Sequence, residues 1–125
     1  MYVQKTLKAN INLPKSWICS SVTNFKNPWD FKNKVKESNG LRYNGYLDPD
    51  SVQKTLTNYD ALVFPTYFHE EGFPGAILDA FLSGIPVIAS DWLYNSELVE
   101  HRKTGLLFKV MDSQELASSL NQLII

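Results

Sequence analysis

The chain of 125 residues has a formal net charge of −1, with 44% hydrophobic and 13% aromatic residues, which is typical of one globular domain with its own core. The single cysteine, Cys19, excludes an internal disulfide and favours a reducing compartment, and no apolar run reaches the roughly 18 residues of a membrane span. The two separated histidines lack metal-ligand spacing, and the basic residues lack the aromatic interleaving of a nucleic-acid surface.

Charge is unevenly distributed along the chain. Residues 1–54 carry nine Lys or Arg against four Asp or Glu, whereas residues 55–125 carry three against nine. A basic half could face a ligand that bears phosphate. A solvated surface explains the same pattern, so the charge distribution leaves both interpretations open.

The first half of the sequence predicts alternating helices and strands. Val3 and Leu7 are four residues apart, which indicates a short helix that Pro14 ends. Asp48 and Pro49 indicate the N-cap and first turn of another helix. The predicted elements are a helix at 2–10, a strand at 17–20, a helix at 29–38, a strand at 41–46 and a helix at 49–58.

The second half is built around two continuous apolar runs, 61–64 and 85–89, which are typical of strands covered on both faces. A helix is predicted between them, with Pro74 in its first turn and Gly84 as its left-handed stop. Its predicted core stripe is Ile77, Leu78, Phe81 and Leu82. The later elements are a helix at 94–100, a strand at 106–108 and a helix at 113–123 capped by Ser113.

This alternation predicts the fold class α/β, a Rossmann-like parallel sheet with helices on both faces. The unit at 61–89 should be a right-handed parallel crossover. Sheets of this kind bind ligands at the carboxyl ends of their strands, where loops lead into helix N-termini. The loop at 65–75 lies at such an end.

Two acids, Glu71 and Asp79, flank the start of the central helix. The helix amides there should be unpaired and able to receive phosphate or sugar oxygens, and Gly72 and Gly75 would let a ligand approach the backbone. Asp79 lies mid-helix among small residues, where its carboxylate could accept hydrogen bonds from the vicinal hydroxyls of a ribose. The alternative is that Asp79 faces solvent and that Glu70 and Glu71 only favour the helix dipole.

Several separated motifs carry a family resemblance over about residues 41–125. The first acid is followed by Gly-Phe-Pro, and the second acid comes after seven intervening residues. The motifs are Tyr43–Tyr46, Tyr59–Thr66, Glu71–Pro74, Asp79–Ala89, Glu97 and Thr104–Phe108. In this order they resemble the C-terminal domain of retaining glycosyltransferases of family GT4, which have the two-domain GT-B fold.

The resemblance implies a role for each matching residue. Glu71 takes the catalytic position and would contact the hydroxyls of the donor sugar. Asp79 matches the family's second Glu, which binds the nucleotide ribose, although its side chain is one methylene shorter. The other implied donor-binding residues are Gly72, Phe73, Pro74, Gly75, Tyr46 beside the base, and Thr66.

The resemblance also implies partners and missing parts. The co-substrate would be a nucleotide-diphosphate sugar, without a metal or other cofactor, and the acceptor a glycan or lipid-linked glycan bound by an N-terminal domain. The family's first strand with its Gly-Arg and Lys-Gly segment and the Gly-Gly pair near Trp92 are not matched. We therefore expect residues 1–125 to be one donor-binding domain that transfers no sugar by itself, from a cytoplasmic enzyme that could be membrane-associated at full length.

Two rival functions remain at this stage. One is a non-catalytic module that binds a nucleotide sugar or a protein partner, and the other is a different GT-B enzyme such as a nucleotide-sugar epimerase. His69 could act as an acid or base or simply line the loop. Trp92 and Tyr94 could line the cleft or pack in the core.

Overall fold

The structure is a computed structural model that describes residues 2–8, 14–20, 41–45, 47–67, 69 and 72–122; the first three ranges are described by their backbone and by the side chain of Ile18. The predicted helix at 29–38 lies outside these residues. The described elements are β1 (Tyr2–Lys8), β2 (Pro14–Ser20), β3 (Leu41–Gly45), a 3₁₀ turn (Pro49–Ser51), α1 (Val52–Leu56), β4 (Ala61–Phe64), α2 (Gly75–Leu82), β5 (Val87–Ser90), α3 (Asn95–Leu98), β6 (Gly105–Phe108) and α4 (Ser113–Gln122).

The described strands form one sheet in the order β3-β1-β2-β4-β5-β6. Neighbouring strands are parallel from β2 through β4 and β5 to β6. β1 is antiparallel to both β2 and β3. The α/β, Rossmann-like fold class is therefore confirmed, with one antiparallel strand inside an otherwise parallel sheet.

The predicted helix at 2–10 is wrong, because Tyr2–Lys8 is the strand β1. A spacing of four residues, as between Val3 and Leu7, fits one face of a strand as well as one face of a helix. Pairing with β2 on one side and β3 on the other decides in favour of the strand. Pro14 does not end a helix but begins β2, a position that proline tolerates.

Alternating side chains of the central strands fill two hydrophobic layers. Leu62, Phe64, Val87 and Ala89 pack on one face of the sheet with buried side chains of α1 and α2. The opposite face carries Val63, Ile88, Leu106 and Phe108, against which Leu116 and Leu120 of α4 pack. The helices thus cover both faces, as predicted, and the continuous apolar runs are explained by burial on two sides.

The central helix buries only part of the predicted stripe, because Ile77 and Phe81 pack on the core and Leu78 and Leu82 do not. Ile77 and Ala80 are fully buried, whereas Leu78 is 45% and Leu82 62% exposed. Residues three apart lie on one helix face, so Ala80 takes the core position beside Ile77. Leu78 and Leu82 are four apart and share an outer face.

The ends of the helices follow the predicted turn chemistry in two places. Asp48 accepts a hydrogen bond from the backbone N–H of Asp50 at 2.9 Å and so caps the 3₁₀ turn. Gly84 has a φ of 75°, and the N–H groups of Gly84 and Ile85 donate to the carbonyls of Phe81 and Ala80. These two bonds form a Schellman motif, for which glycine is suited at the left-handed position.

The cap of α4 is Asp112 and not Ser113 as predicted. The helix begins at Ser113, so the capping position is one residue earlier, and the Asp112 carboxylate accepts the N–H of Glu115 at 2.9 Å. We expect Asp112→Ala to lower the free energy of unfolding in urea by about 1 kcal/mol. Ser113→Ala is the matched control and should lower the free energy of unfolding by less. A larger loss for Ser113→Ala than for Asp112→Ala would mean that Ser113 caps α4.

The outer edge of β6 is hydrogen-bonded by nearby residues of the same chain. The N–H of Arg102 donates to the carbonyl of Gly105 at 2.7 Å. His101 Nδ1 accepts the N–H of Leu107 at 2.9 Å, and the Glu115 carboxylate accepts the N–H of Lys109. In a parallel pair, alternate residues direct their N–H and C=O groups away from the partner strand. The bonds at residues 105, 107 and 109 therefore occupy successive backbone groups of β6 that point away from β5. No helix among the described residues combines the length and apolarity required to cross a membrane.

Candidate donor site at the ends of strands β4 and β5

Two buried polar residues tie together the carboxyl ends of β4 and β5. The hydroxyl of Ser90 donates to the carbonyl of Thr66, and Ser90 is 1% exposed. Asn95 Nδ2 in turn donates to the carbonyl of Ser90 at 2.9 Å, and Asn95 is also 1% exposed. The loops after β4 and β5 are therefore joined at their starting points by fully buried hydrogen bonds. Neither residue was predicted from the sequence, in which the signal was a polar residue, Ser90, directly after the apolar run 85–89.

The start of α2 supplies fewer free amides than predicted. The helix begins at Gly75, with Pro74 at the capping position and no side-chain cap. The N–H of Gly75 donates to the carbonyl of Phe73 at 2.9 Å, and the N–H of Ile77 donates to the carbonyl of Pro74 at 3.0 Å. Two amides that could have received a ligand are thus bonded within the turn, and Pro74 has none to offer.

Gly72 and Gly75 leave open space in front of this turn. Among the described residues, no atom lies within 4 Å of a Cβ built at either position, and neither glycine adopts a positive φ. The backbone conformation therefore does not demand glycine here. What the two glycines contribute is an unobstructed approach to the main chain.

Asp79 presents a partly buried carboxylate one turn into α2. In the part of the chain that the structure describes, no donor is hydrogen-bonded to this carboxylate. The hydroxyl of Ser83 donates to the backbone carbonyls of Asp79 at 2.7 Å and Gln53 at 3.1 Å, which fastens α2 to α1 without using the acid. The Asp79 carboxylate is therefore free to accept hydrogen bonds from a ligand.

The remaining predicted site residues fall into three groups. Glu71 and Tyr46 lie outside the described residues. Thr66 is 6% exposed, and its carbonyl serves the Ser90 bond. Phe73 is 67% exposed at the loop tip. The donor-binding roles of all these residues stay predictions.

A cavity of about 250 Å³ lies between the two loops and is lined by Phe73, Tyr94, Glu97 and Leu98. Tyr94 is 53% exposed, so it lines the cleft and does not pack in the core. Trp92 is half-buried, and its ring makes an edge contact with the ring of His69 at a centroid distance of 5.1 Å. The described residues contain no group of three His, Cys, Asp or Glu placed to hold a metal ion.

Comparison with known proteins gives consistent results. The family model described as glycosyl transferases group 1 matches residues 16–125. The chain is 30% identical over 83 residues to the amylovoran biosynthesis glycosyltransferase AmsK of Erwinia amylovora, and 33% identical over 79 residues to the glycosyltransferase 1 domain-containing protein 1 of Xenopus tropicalis. Each alignment covers 63% of this chain, but only 20% and 22% of these two relatives.

Proposed function

Because the chain belongs to the glycosyl transferases group 1 family, we propose that it is the donor-binding domain of a retaining, GT4-like glycosyltransferase with the GT-B fold. The enzyme would move a hexose from a nucleotide-diphosphate sugar to a glycan or lipid-linked glycan acceptor. The aligned part of the chain spans only about a fifth of the length of the two relatives. We expect the chain by itself to bind the donor without transferring sugar, because GT-B catalysis takes place between two domains.

The observation that carries this proposal is the Asp79 carboxylate. It is partly buried and has no hydrogen-bond donor within the described residues. Its place in the sequence, after seven residues that follow Glu71, resembles that of the family's ribose-binding acid. A carboxylate can accept hydrogen bonds from both vicinal hydroxyls of a ribose, and such charge-assisted bonds are roughly twice as strong as neutral ones. The open space at Gly72 and Gly75 lies at the N-terminus of the same helix, where the donor's phosphates would approach.

Glu71 would then contact the donor sugar from the loop that precedes α2. Phe73, Pro74, Gly75 and Thr66 would shape the sugar and diphosphate site. Tyr46, after β3, would lie near the base. The lone Cys19 supports a cytoplasmic setting for the full enzyme, since reducing compartments favour free cysteines.

A second candidate function is a non-catalytic module that binds a nucleotide sugar or another protein. The bonded amides of Gly75 and Ile77 favour the protein-binding form of this alternative, because they leave fewer backbone donors for a diphosphate. The donor-binding domain and a nucleotide-sugar module would both bind a nucleotide, whereas a protein-binding module would not, so nucleotide binding tests the site itself.

Titration calorimetry with UDP and GDP tests the proposal. We expect one of the two nucleotides to bind, and Asp79→Asn to weaken that binding by about 10-fold to 100-fold, as expected for a hydrogen bond to a charged group. The 2′-deoxy form of the same nucleotide should bind the wild type more weakly and should respond less to Asp79→Asn. This dependence identifies the ribose as the partner of Asp79.

Glu100→Gln is the charge-matched control. Glu100 lies in the segment that leads into the start of β6, whereas the candidate site lies at the carboxyl ends of β4 and β5. Its exposed ion pair with Lys103 contributes little to stability. This variant should bind the nucleotide as the wild type does. No detectable binding of either nucleotide to the wild type would contradict the donor-binding proposal and favour a protein-interaction module.

A further inference from the structure

The cavity between the loops after β4 and β5 has the chemical character of a sugar site. Two exposed aromatic side chains, Phe73 and Tyr94, stand on its walls, and the Glu97 carboxylate also lines it. No donor is hydrogen-bonded to the Glu97 side chain within the described residues. Aromatic rings pack well against the apolar C–H faces of sugar rings, and an unpaired carboxylate accepts hydrogen bonds from hydroxyl groups.

The turn that places Tyr94 in this cavity is held in a strained conformation. Leu93 has a φ of 44°, a left-handed value that is uncommon for a residue other than glycine.

Hydrogen bonds fix this turn from both sides. The N–H of Trp92 donates to the carbonyl of Ser90 at 2.9 Å, and the N–H of Asn95 donates to the carbonyl of Trp92 at 3.0 Å. The buried Asn95 side chain adds its bond to Ser90. The position of Tyr94 relative to the strand ends is therefore preorganised, which lowers the entropic cost of binding a ligand.

We propose that Phe73, Tyr94 and Glu97 bind the pyranose ring of an uncharged sugar. The ring would pack between the two aromatic side chains, and its hydroxyls would donate to the Glu97 carboxylate. None of the described residues that line it is cationic, so this part of the cavity disfavours a phosphate group. Its volume of about 250 Å³ lies below the range of about 300–1,000 Å³ that drug-sized ligands need, so it suits one ring and not a whole nucleotide sugar.

This inference rests on the proposed function, since it identifies a sugar subsite at the donor edge of a glycosyltransferase domain. The ring could belong to the donor sugar or to a residue of the acceptor glycan. The recognition chemistry is the same for both. Free hexoses therefore serve as the probe, independently of any nucleotide.

Saturation-transfer NMR with glucose, galactose and mannose tests the proposal on the full chain. We expect transfer to the ring protons of at least one hexose. Glu97→Gln should weaken the affinity by about 2-fold to 10-fold, less than the effect expected at Asp79, because Glu97 is exposed and its charge is screened by solvent. Tyr94→Ala should abolish the transfer, whereas Tyr94→Phe should retain it because the ring remains.

Leu82→Ala is the matched control. Leu82 is as exposed as Phe73 but lies at the far end of α2. It should leave hexose binding unchanged, and circular dichroism should show that all the variants are folded. Absence of transfer to any hexose would overturn the proposal, as would equal transfer in the wild type and Tyr94→Ala.

Competition identifies the source of the sugar. A nucleotide hexose that displaces the free hexose, when the nucleotide alone does not, assigns the cavity to the donor sugar. Simultaneous binding assigns it to the acceptor glycan. If hexoses bind and nucleotides do not, the sugar-site proposal is supported and the donor-binding proposal is contradicted. If nucleotides bind and hexoses do not, only the sugar-site proposal is contradicted.

Discussion

Gly105→Ala is expected to lower the free energy of unfolding by about 3 kcal/mol or more, out of the roughly 5–15 kcal/mol that is usual for a folded domain. A Cβ at Gly105 would lie 2.0 Å from the carbonyl oxygen of Val87 and 3.0 Å from its carbonyl carbon. Both atoms belong to the backbone of β5, with which Gly105 is paired, so no side-chain rotation can relieve the overlap. The strand β6 has to move away, together with buried Leu106 and Phe108.

Urea denaturation followed by circular dichroism measures this loss. Gly75→Ala is the control, because a Cβ there meets no atom of the described residues within 4 Å and Gly75 begins α2. Alanine is favoured over glycine in helices by about 0.5–1 kcal/mol, so this variant should be as stable as the wild type or more stable. Equal midpoints for Gly105→Ala and the wild type would show that β5 and β6 do not approach so closely.

Ile77→Ala is expected to lower the free energy of unfolding by about 2–5 kcal/mol. Ile77 is fully buried on α2 and belongs to the hydrophobic layer that contains Leu56, Leu62 and Phe64. Removal of its side chain leaves a cavity under the helix that carries Asp79. Nucleotide affinity should therefore fall as well if Asp79 binds the ribose. Urea denaturation and calorimetry on the same sample measure the two effects separately.

Leu78→Ala gives the matched comparison on the same helix. Leu78 is the next residue and is 45% exposed. Its substitution by alanine removes the same number of carbon atoms as Ile77→Ala, but the free energy of unfolding should fall by less than about 1 kcal/mol. Equal losses for the two variants would mean that both residues face the core, as the sequence stripe predicted. The described burial of α2 would then be wrong.

The central strand-helix-strand unit was predictable because several local signals agree in it. Continuous apolar runs marked β4 and β5, and Gly84 marked the end of α2. The strand β1 was not predictable from its own residues, since a spacing of four fits both a helix and a strand. Its pairing with two distant segments decides its conformation, and no local pattern reports such contacts.

The candidate site was predictable in its location but only partly in its atoms. The topology placed the loop after β4 and the acid Asp79 at one edge of the sheet, which the structure supports for the described residues. The bonds that occupy the amides of Gly75 and Ile77 depend on the turn geometry around Pro74. The cavity lined by Phe73 and Tyr94 depends on the left-handed backbone conformation of Leu93, and a leucine in the sequence does not predict that conformation.

The hydrogen-bonded outer edge of β6 has a consequence for self-association. An unprotected edge strand invites another molecule to add a strand, which is a common route to aggregation and domain swapping. At β6, an incoming strand would first have to displace His101 from the N–H of Leu107 and Glu115 from the N–H of Lys109. The chain therefore resists intermolecular sheet growth at this edge with two side chains and one tight turn.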